Sequence, residues 1–369
     1  MKLIVACGGT GGHMFPGIAV ANALKQRGHE VALYLGARDV EQFSARDWDG
    51  PIVRVQAEGF AAGLSFQTLR TAYRLCRAAR TCRKAMATSP PDALLAMGGY
   101  ASVGPVLAAK RLNIPVALHE ANAVPGRAVC FLARYAQVVA LAFGEAAQRL
   151  PGRRTVVAGL PIRQTLTANT DPPPLLDNTD PTLRDGVFTV LVMGGSQGAH
   201  RLNETATQAL VMLHGRGVPI QAIHLTGRKD EDFVRARYRQ AGVPARVFGF
   251  LENMGWAYCR ADWAVARAGA ATCMELPLFG LPALLVPLPS AARDHQTANA
   301  RAMTALGAAD MNAERETSPE WLADYLAGCR SNPDRAQAMR RSMTELRVED
   351  AAERLADLTE SLTRPGRGV

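Results

Sequence analysis

The stretch KLIVACGGTGGHMFPG, residues 2–17, decides the fold. Residues 2–6 form a short apolar run rich in β-branched side chains, and Gly8, Gly9, Gly11 and Gly12 make a turn around Thr10. Beyond the turn, Ala19, Val20, Ala23 and Leu24 fall at helical spacing. Gly28-His29 stops that helix, and residues 31–35 begin a second strand. Strand, Gly-rich turn, helix, strand is the opening of a doubly wound α/β sheet. The same opening returns downstream in VLVMGGSQGAH, residues 190–200. Two such domains in tandem are expected.

Between them, residues 167–186 contain Asp171-Pro172-Pro173-Pro174, Asp177, Asp180-Pro181 and Asp185-Gly186, which no periodic element accommodates. This stretch reads as a linker whose composition suits movement. Alternation then resumes, with strands at 220–226, 263–266 and 283–286, helices at 232–240 and 271–278, and mostly helix from Pro319 onward. The expected organisation is a first domain over 1–163, a Pro-rich linker over 164–186, a second domain over 187–345 and a final segment over 346–369.

Composition agrees with two packed domains. The chain has 369 residues, 48% hydrophobic and 20% charged, against roughly 150 residues per domain, and is far too apolar for a disordered chain. The net charge is +9, and Lys occurs only at positions 2, 25, 84, 110 and 229, so the cations are overwhelmingly Arg. That skew suits phosphate recognition by planar guanidinium groups, and codon bias explains it equally. The longest uncharged runs, 93–109 and 276–292, are broken by Gly or Pro and fall short of the ~20 residues of a spanning helix. The N-terminal apolar run is too short for a signal peptide, and Cys7 lies too early for lipid attachment. Seven cysteines without a Cys-x-x-Cys pair speak against a disulfide framework or a structural zinc site and for the cytosol.

Several turns carry chemistry. The glycines at 8–12 let backbone approach a ligand, and the following helix start offers N–H groups to an anion such as a diphosphate. Met14 stands where a dinucleotide fingerprint needs its third Gly, no acid ends the second strand at Leu35-Gly36-Ala37, and no Gly-Lys-Ser/Thr follows. His13 opens the helix, where the positive end disfavours an imidazolium and leaves a ring able to accept a proton. Gly98-Gly99-Tyr100 with Ser102 and Gly104-Pro105, and then His119-Glu120-Ala121-Asn122, both fall just past strand ends. A third turn runs from Arg267 through Gly269 to Glu275, where Glu275 reads either as a helix-start carboxylate or as a bidentate acceptor for two ribose hydroxyls. Asp294, His295, Gln296 and Asn299 offer neutral or polar partners for sugar hydroxyls or an ordinary helix cap.

Asp47-Trp48-Asp49 and Asp230-Glu231-Asp232 resemble metal-binding acid pairs but lie in polar stretches away from the Gly-rich turns, so no metal is expected. Residues 66–86 place Phe66, Leu69, Tyr73 and Cys76 at helical spacing among Arg70, Arg74, Arg77, Arg80, Arg83 and Lys84. Such a basic amphipathic helix suits an anionic membrane surface. Nothing resembles an aromatic, basic nucleic-acid platform, so no nucleic-acid partner is expected.

Together, the run from Gly8 to Gly17, Met97-Gly98-Gly99-Tyr100, His119-Glu120-x-Asn122, the turn from Gly194 to Ala199 and the turn from Gly269 to Glu275 resemble the MurG family in order and spacing. The resemblance covers nearly the whole chain. It implies a GT-B fold, two Rossmann-like doubly wound domains facing a cleft, with the final helix returning to the first domain. It implies inverting, metal-independent transfer of N-acetylglucosamine from UDP-N-acetylglucosamine to lipid I, at the cytoplasmic face of the inner membrane and without a cofactor. His13 would be the general base, with Glu120 the second candidate. Ser196, at a helix N-terminus as Ala270 is, would contact the diphosphate, the backbone at Leu251 would read uracil, and Glu275 would hold the ribose. Ala270, Ala271, Thr272, Cys273 and Met274 would line the phosphate site. Gln296 and Arg163 would contact the donor, with Asn122, Thr10, Gly11 and Gly12 reaching it from the first domain. The chain departs from the family pattern at Leu160, Ala121 and Ala268, each replacing a polar residue. Competing readings are another UDP-sugar-dependent lipid glycosyltransferase and a non-catalytic sugar-nucleotide-binding module.

Overall fold

The computed structural model describes residues 1–8, 11–36, 48–55, 66–162, 166, 170–174, 181–195, 198–348 and 350–363, and over 66–72 the backbone only. It divides into two compact units, Met1–Arg163 with Val348–Val369, and Gln164–Arg347.

In the first unit, seven parallel strands stand in the order β3-β2-β1-β4-β5-β6-β7. They are β1 (Lys2–Cys7), β2 (Glu30–Gly36), β3 (Ile52–Val55), β4 (Ala93–Ala96), β5 (Val116–Glu120), β6 (Val138–Leu141) and β7 (Thr155–Val157). Successive residues of β1 feed opposite faces: Leu3, Val5 and Cys7 join one core cluster, and Ile4 and Ala6 the other. A strand covered on both faces reads as an unbroken apolar run, which is why residues 2–6 were legible. Chain direction across the sheet reverses between β1 and β4, the switch point where open α/β sheets bind ligands.

Helix α1 (Gly11–Gln26) lies so close to β1 that a Cβ at Gly17 would sit 2.5 Å from the Cβ of Cys7. On its other side lies the last helix of the chain, Ala351–Ser361, which buries Leu355 and Ala356 with Met14, Val20 and Leu24. Arg27 fastens the pair, reaching Glu353, Asp357 (2.7 Å) and Glu360 (3.0 Å), while His29 meets Glu360 at 2.9 Å.

The opposite face carries α2 (Phe66–Thr88) and α3 (Val103–Arg111). Leu75, Ala78, Cys82 and Met86 face the core, whereas Tyr73 is 64% exposed and Cys76 is exposed as well. The reason is close helix packing: a Cβ at Gly104 would lie 3.2 Å from that of Ala78, so the small-residue face turns inward. Phe66, Leu69 and Arg70 fall among the residues described by backbone alone.

The second unit repeats the plan with six parallel strands in the order β10-β9-β8-β11-β12-β13. They are β8 (Phe188–Met193), β9 (Ile220–Leu225), β10 (Ala245–Phe248), β11 (Trp263–Ala266), β12 (Ala283–Leu285) and β13 (Asp310–Met311). Its switch point lies between β8 and β11. No described helix is long and apolar enough to cross a membrane.

Candidate active site

In the first unit the site assembles at the carboxyl ends of β1, β4 and β5. His13 is the third residue of α1, whose first turn contains no acid. Its ring rests on the Gly98-Gly99 turn. A Cβ at Gly99 would lie 3.1 Å from His13 Cδ2, and one at Gly98 3.6 Å from Cε1. Gly98 and Gly99 have positive φ, +86° and +67°, so a side chain at either position is strained by the backbone and crowded by its neighbours. The buried Ser102 hydroxyl donates to the Gly98 carbonyl at 2.7 Å and pins the turn.

His119 lies fully buried behind this turn. Its Nε2–H donates to the Gly159 carbonyl at 2.9 Å, which identifies the tautomer. Burial, opposed by that hydrogen bond and reinforced by the neighbouring His13, pushes the imidazole down to about 4. The ring is therefore neutral at pH 7. Gly159 (φ +78°) sits where a Cβ would come within 2.8 Å of Val348, so His119 supports the place where the chain leaves and re-enters this unit.

Glu120 is 2% exposed and accepts three hydrogen bonds from its own loop. Its Oε1 takes the Asn122 backbone N–H (2.9 Å) and side-chain Nδ2 (3.2 Å), and its Oε2 takes the Gly126 N–H (2.8 Å). Asn122 is thereby held half-buried at the head of the 121–126 loop. Gly11 and Gly12 form the first turn of α1. Thr10 and Arg163 lie outside the described residues.

In the second unit, Gly194 and Gly195 leave β8 and the next helix begins at His200, four residues beyond Ser196, which itself lies outside the described residues. The expectation of a helix start at Ser196 is corrected. Gly198 explains the delay: at φ +76° its Cβ would lie 2.1 Å from the Thr226 carbonyl, so the turn packs flat on the end of β9 before the helix can start. Asn203 ties the same region together, donating to the Thr226 carbonyl (2.8 Å) and to Asp230 (2.7 Å).

After β11, Gly269 is extended (φ −64°, ψ 150°) and the helix Ala270–Phe279 starts with neither a side-chain cap nor an acid in its first turn. Ala270, Ala271 and Thr272 are half-buried and Cys273 and Met274 buried, so a ligand here would meet backbone N–H groups. Glu275 stands in the second turn, beyond the helix-start position that the structural reading required. Its Oε2 accepts from the Tyr258 hydroxyl at 2.6 Å. Burial, with Glu275 adjacent, raises the Tyr258 phenol well above its ordinary range, so it stays a donor. Tyr258, stacked on Phe279, has no sequence signal linking it to Glu275.

Arg267 turns inward: it donates to the Val286 (3.1 Å) and Pro287 (3.2 Å) carbonyls and pairs with Glu314. Asn299 donates to the Ala268 carbonyl (3.1 Å), and Gln296 accepts the Leu288 N–H (2.9 Å). Leu251 is buried in the turn after β10. Among the acid pairs, Asp49 pairs with Lys25, while Asp47 lies outside the described residues. Partial burial alone would raise the Asp230 carboxyl, but hydrogen bonds from Asn203 and His200 hold it below the usual range. Among the described residues no group of three His, Cys, Asp or Glu is placed to hold a metal. The departures Leu160, Ala121 and Ala268 are all buried, so apolar side chains fill interior space there.

Two parallel doubly wound domains, each with glycine turns at its switch point, define a glycosyltransferase of the GT-B class. The chain belongs to glycosyltransferase family 28, whose N-terminal domain matches residues 3–141 and whose C-terminal domain matches residues 189–355. Within it, the chain is 37% identical to the UDP-N-acetylglucosamine--N-acetylmuramyl-(pentapeptide) pyrophosphoryl-undecaprenol N-acetylglucosamine transferase of Myxococcus xanthus, over 97% of this chain and 92% of the relative. It is 39% identical to the Aeromonas hydrophila enzyme of the same name, over 96% and 95%. The crystal structure of Acinetobacter baumannii MurG, 30% identical, covers 98% of this chain and 99% of its own with a TM-score of 0.78. A UDP-GlcNAc 2-epimerase from Neisseria meningitidis, solved with UDP-GlcNAc and 11% identical, shares the fold (TM-score 0.70).

Proposed function

We propose that the chain transfers N-acetylglucosamine from UDP-N-acetylglucosamine to lipid I, the undecaprenyl-diphospho-N-acetylmuramyl pentapeptide. The observation that carries this reading is the seating of His13 on the Gly98-Gly99 turn at the first switch point. The acceptor hydroxyl oxygen attacks the anomeric carbon on the face opposite the diphosphate, so the carbon–oxygen bond to UDP breaks with inversion. His13 takes the hydroxyl proton. Glu120 accepts three N–H groups of its own loop and so holds Asn122 in place.

The donor belongs to the second unit. The open N-terminus at Ala270, Ala271 and Thr272 stabilises charge growing on the departing diphosphate, with the backbone of Cys273 and Met274 beneath it and Ser196 assisting from the glycine-rich segment that follows β8. Glu275, held by Tyr258, accepts from the ribose hydroxyls, Gln296 contacts the donor, and the backbone at Leu251 reads uracil. Arg163, Thr10, Gly11 and Gly12 complete the set. No metal or cofactor enters this scheme.

The lipid acceptor requires a membrane. The outer face of α2 supports that, with Arg77, Arg80, Arg83 and Lys84 exposed around Tyr73, each cation contributing about 1 kcal/mol near an anionic surface. The protein thus works at the cytoplasmic face of the inner membrane. The test offers labelled UDP-N-acetylglucosamine with either a lipid I analogue or diacylglycerol. Transfer to lipid I supports the proposal; transfer to diacylglycerol alone favours a different lipid glycosyltransferase.

A further inference from the structure

A buried cation interrupts β10. Arg246 is 3% exposed, in a strand whose other members are apolar. Taking a guanidinium out of water costs several kcal/mol unless its donors are met. Here its guanidinium carbon lies 5.1 Å from the ring centroid of each of Phe248 and Trp256, which pack edge to face on one another. Nη1 donates to the Pro173 carbonyl (3.0 Å) and Nη2 to the Pro174 carbonyl (2.8 Å). The match is chemical. Prolines offer carbonyls without N–H groups on a backbone of fixed φ, and a guanidinium offers donors alone.

Seven residues later, Asn253 makes a second tie. Its Nδ2 donates to the Asp171 carbonyl (2.6 Å), and its Oδ1 accepts the Trp256 N–H at the start of the next helix (3.3 Å). Arg246, in β10, and Asn253, the last residue of the 249–253 turn, stand on either side of Leu251. The segment 171–174, whose composition suggested movement, is thus tied to this domain on both sides of that residue.

We infer that the 171–174 segment, held by Arg246 and Asn253, is a brace behind the 249–253 turn, and that Arg246 is a positioning residue for recognition of the donor's base. This rests on the reading that the backbone at Leu251 meets uracil. Without the brace the turn keeps its sequence but loses its fixed backbone, so discrimination between bases falls along with affinity.

The test uses the full chain with Arg246→Met, which keeps the apolar stem, and Arg246→Lys, which keeps the charge without the fork. UDP and CDP affinities are measured by calorimetry, and donor and acceptor KM and kcat by label transfer. Arg246→Met is expected to weaken UDP at least fivefold and to cut the UDP-over-CDP preference at least threefold. The loss should fall on donor KM more than on kcat or acceptor KM, with Arg246→Lys intermediate. A folded Arg246→Met protein that binds UDP and rejects CDP as the wild type does overturns the brace. If Arg246→Met fails to fold, Asn253→Ala is read the same way. Backbone hydrogen exchange at 249–253 separates the two levels. If UDP does not slow exchange there in the wild type, the base reading itself fails; if it does and the variants match the wild type, the brace alone fails.

Discussion

At the scale of single residues, the site depends on what stands beside His13. Gly99→Ala adds a methyl 3.1 Å from its ring at a φ of +67°, so the ring must move while the fold survives. Turnover is expected to fall about 10²-fold, within the ~10²–10⁴ range of a lost general base, and circular dichroism should stay unchanged. Undiminished turnover would separate His13 from the chemistry. The buried histidines predict a pH dependence of stability. Burial lowers His119 to about 4 and, in the other domain, His224 to about 3, whereas an unfolded imidazole titrates near 6.5. Below pH 6.5 the unfolded chain takes up protons that the folded one refuses. Stability is therefore full above that value and falls toward pH 4, by up to about 1.4 kcal/mol per unit for each ring. Urea midpoints at pH 7.5, 6 and 5 should decline, and His119→Gln should flatten the decline in the first domain's transition. Sequence made His13, Glu120 and Glu275 visible as motif members. It did not show that Glu120 accepts three N–H groups of its own loop, nor that Tyr258 serves Glu275. Those facts depend on chain geometry rather than on residue type.

At the scale of elements, the last helix is held by a few contacts. Leu355 is fully buried against α1, and Leu355→Ala should cost about 2–4 kcal/mol. Two-transition thermal unfolding should show the first domain shifted down and the second unmoved. Equal shifts in both would contradict the assignment of this helix to the first domain. The long buried strands β1 and β8 and their glycine turns were legible because a strand covered on both faces needs a continuous apolar run. Two short ones, β11 and β12, were legible as well, but β3, β10 and β13 were not. β13 has two residues, and β3 and β10 carry Arg54 and Arg246 inside the run. The inward face of α2 was not read from the sequence because two stripes compete on that helix, and the bulkier side chains dominate any count of apolar positions. Gly104, on another helix, decides between them.

At the scale of the whole molecule, the proposed mechanism divides the chemistry between the two domains, with the proton acceptor in one and the diphosphate-stabilising helix end in the other. If α2 brings the first domain to the bilayer, reversing Arg77, Arg80 and Lys84 to Glu should abolish sedimentation with anionic vesicles while donor affinity, a property of the second domain, stays within twofold. Vesicle binding that survives would move the membrane contact elsewhere. The most direct measurement is transfer itself. Purified protein is incubated with radiolabelled UDP-N-acetylglucosamine and a short-chain lipid I analogue in EDTA, beside His13→Ala. Label should pass to the lipid in the wild type and fall at least a hundredfold in the variant, while both bind the donor equally. Donor binding without transfer in the wild type, or transfer undiminished in His13→Ala, would contradict the account.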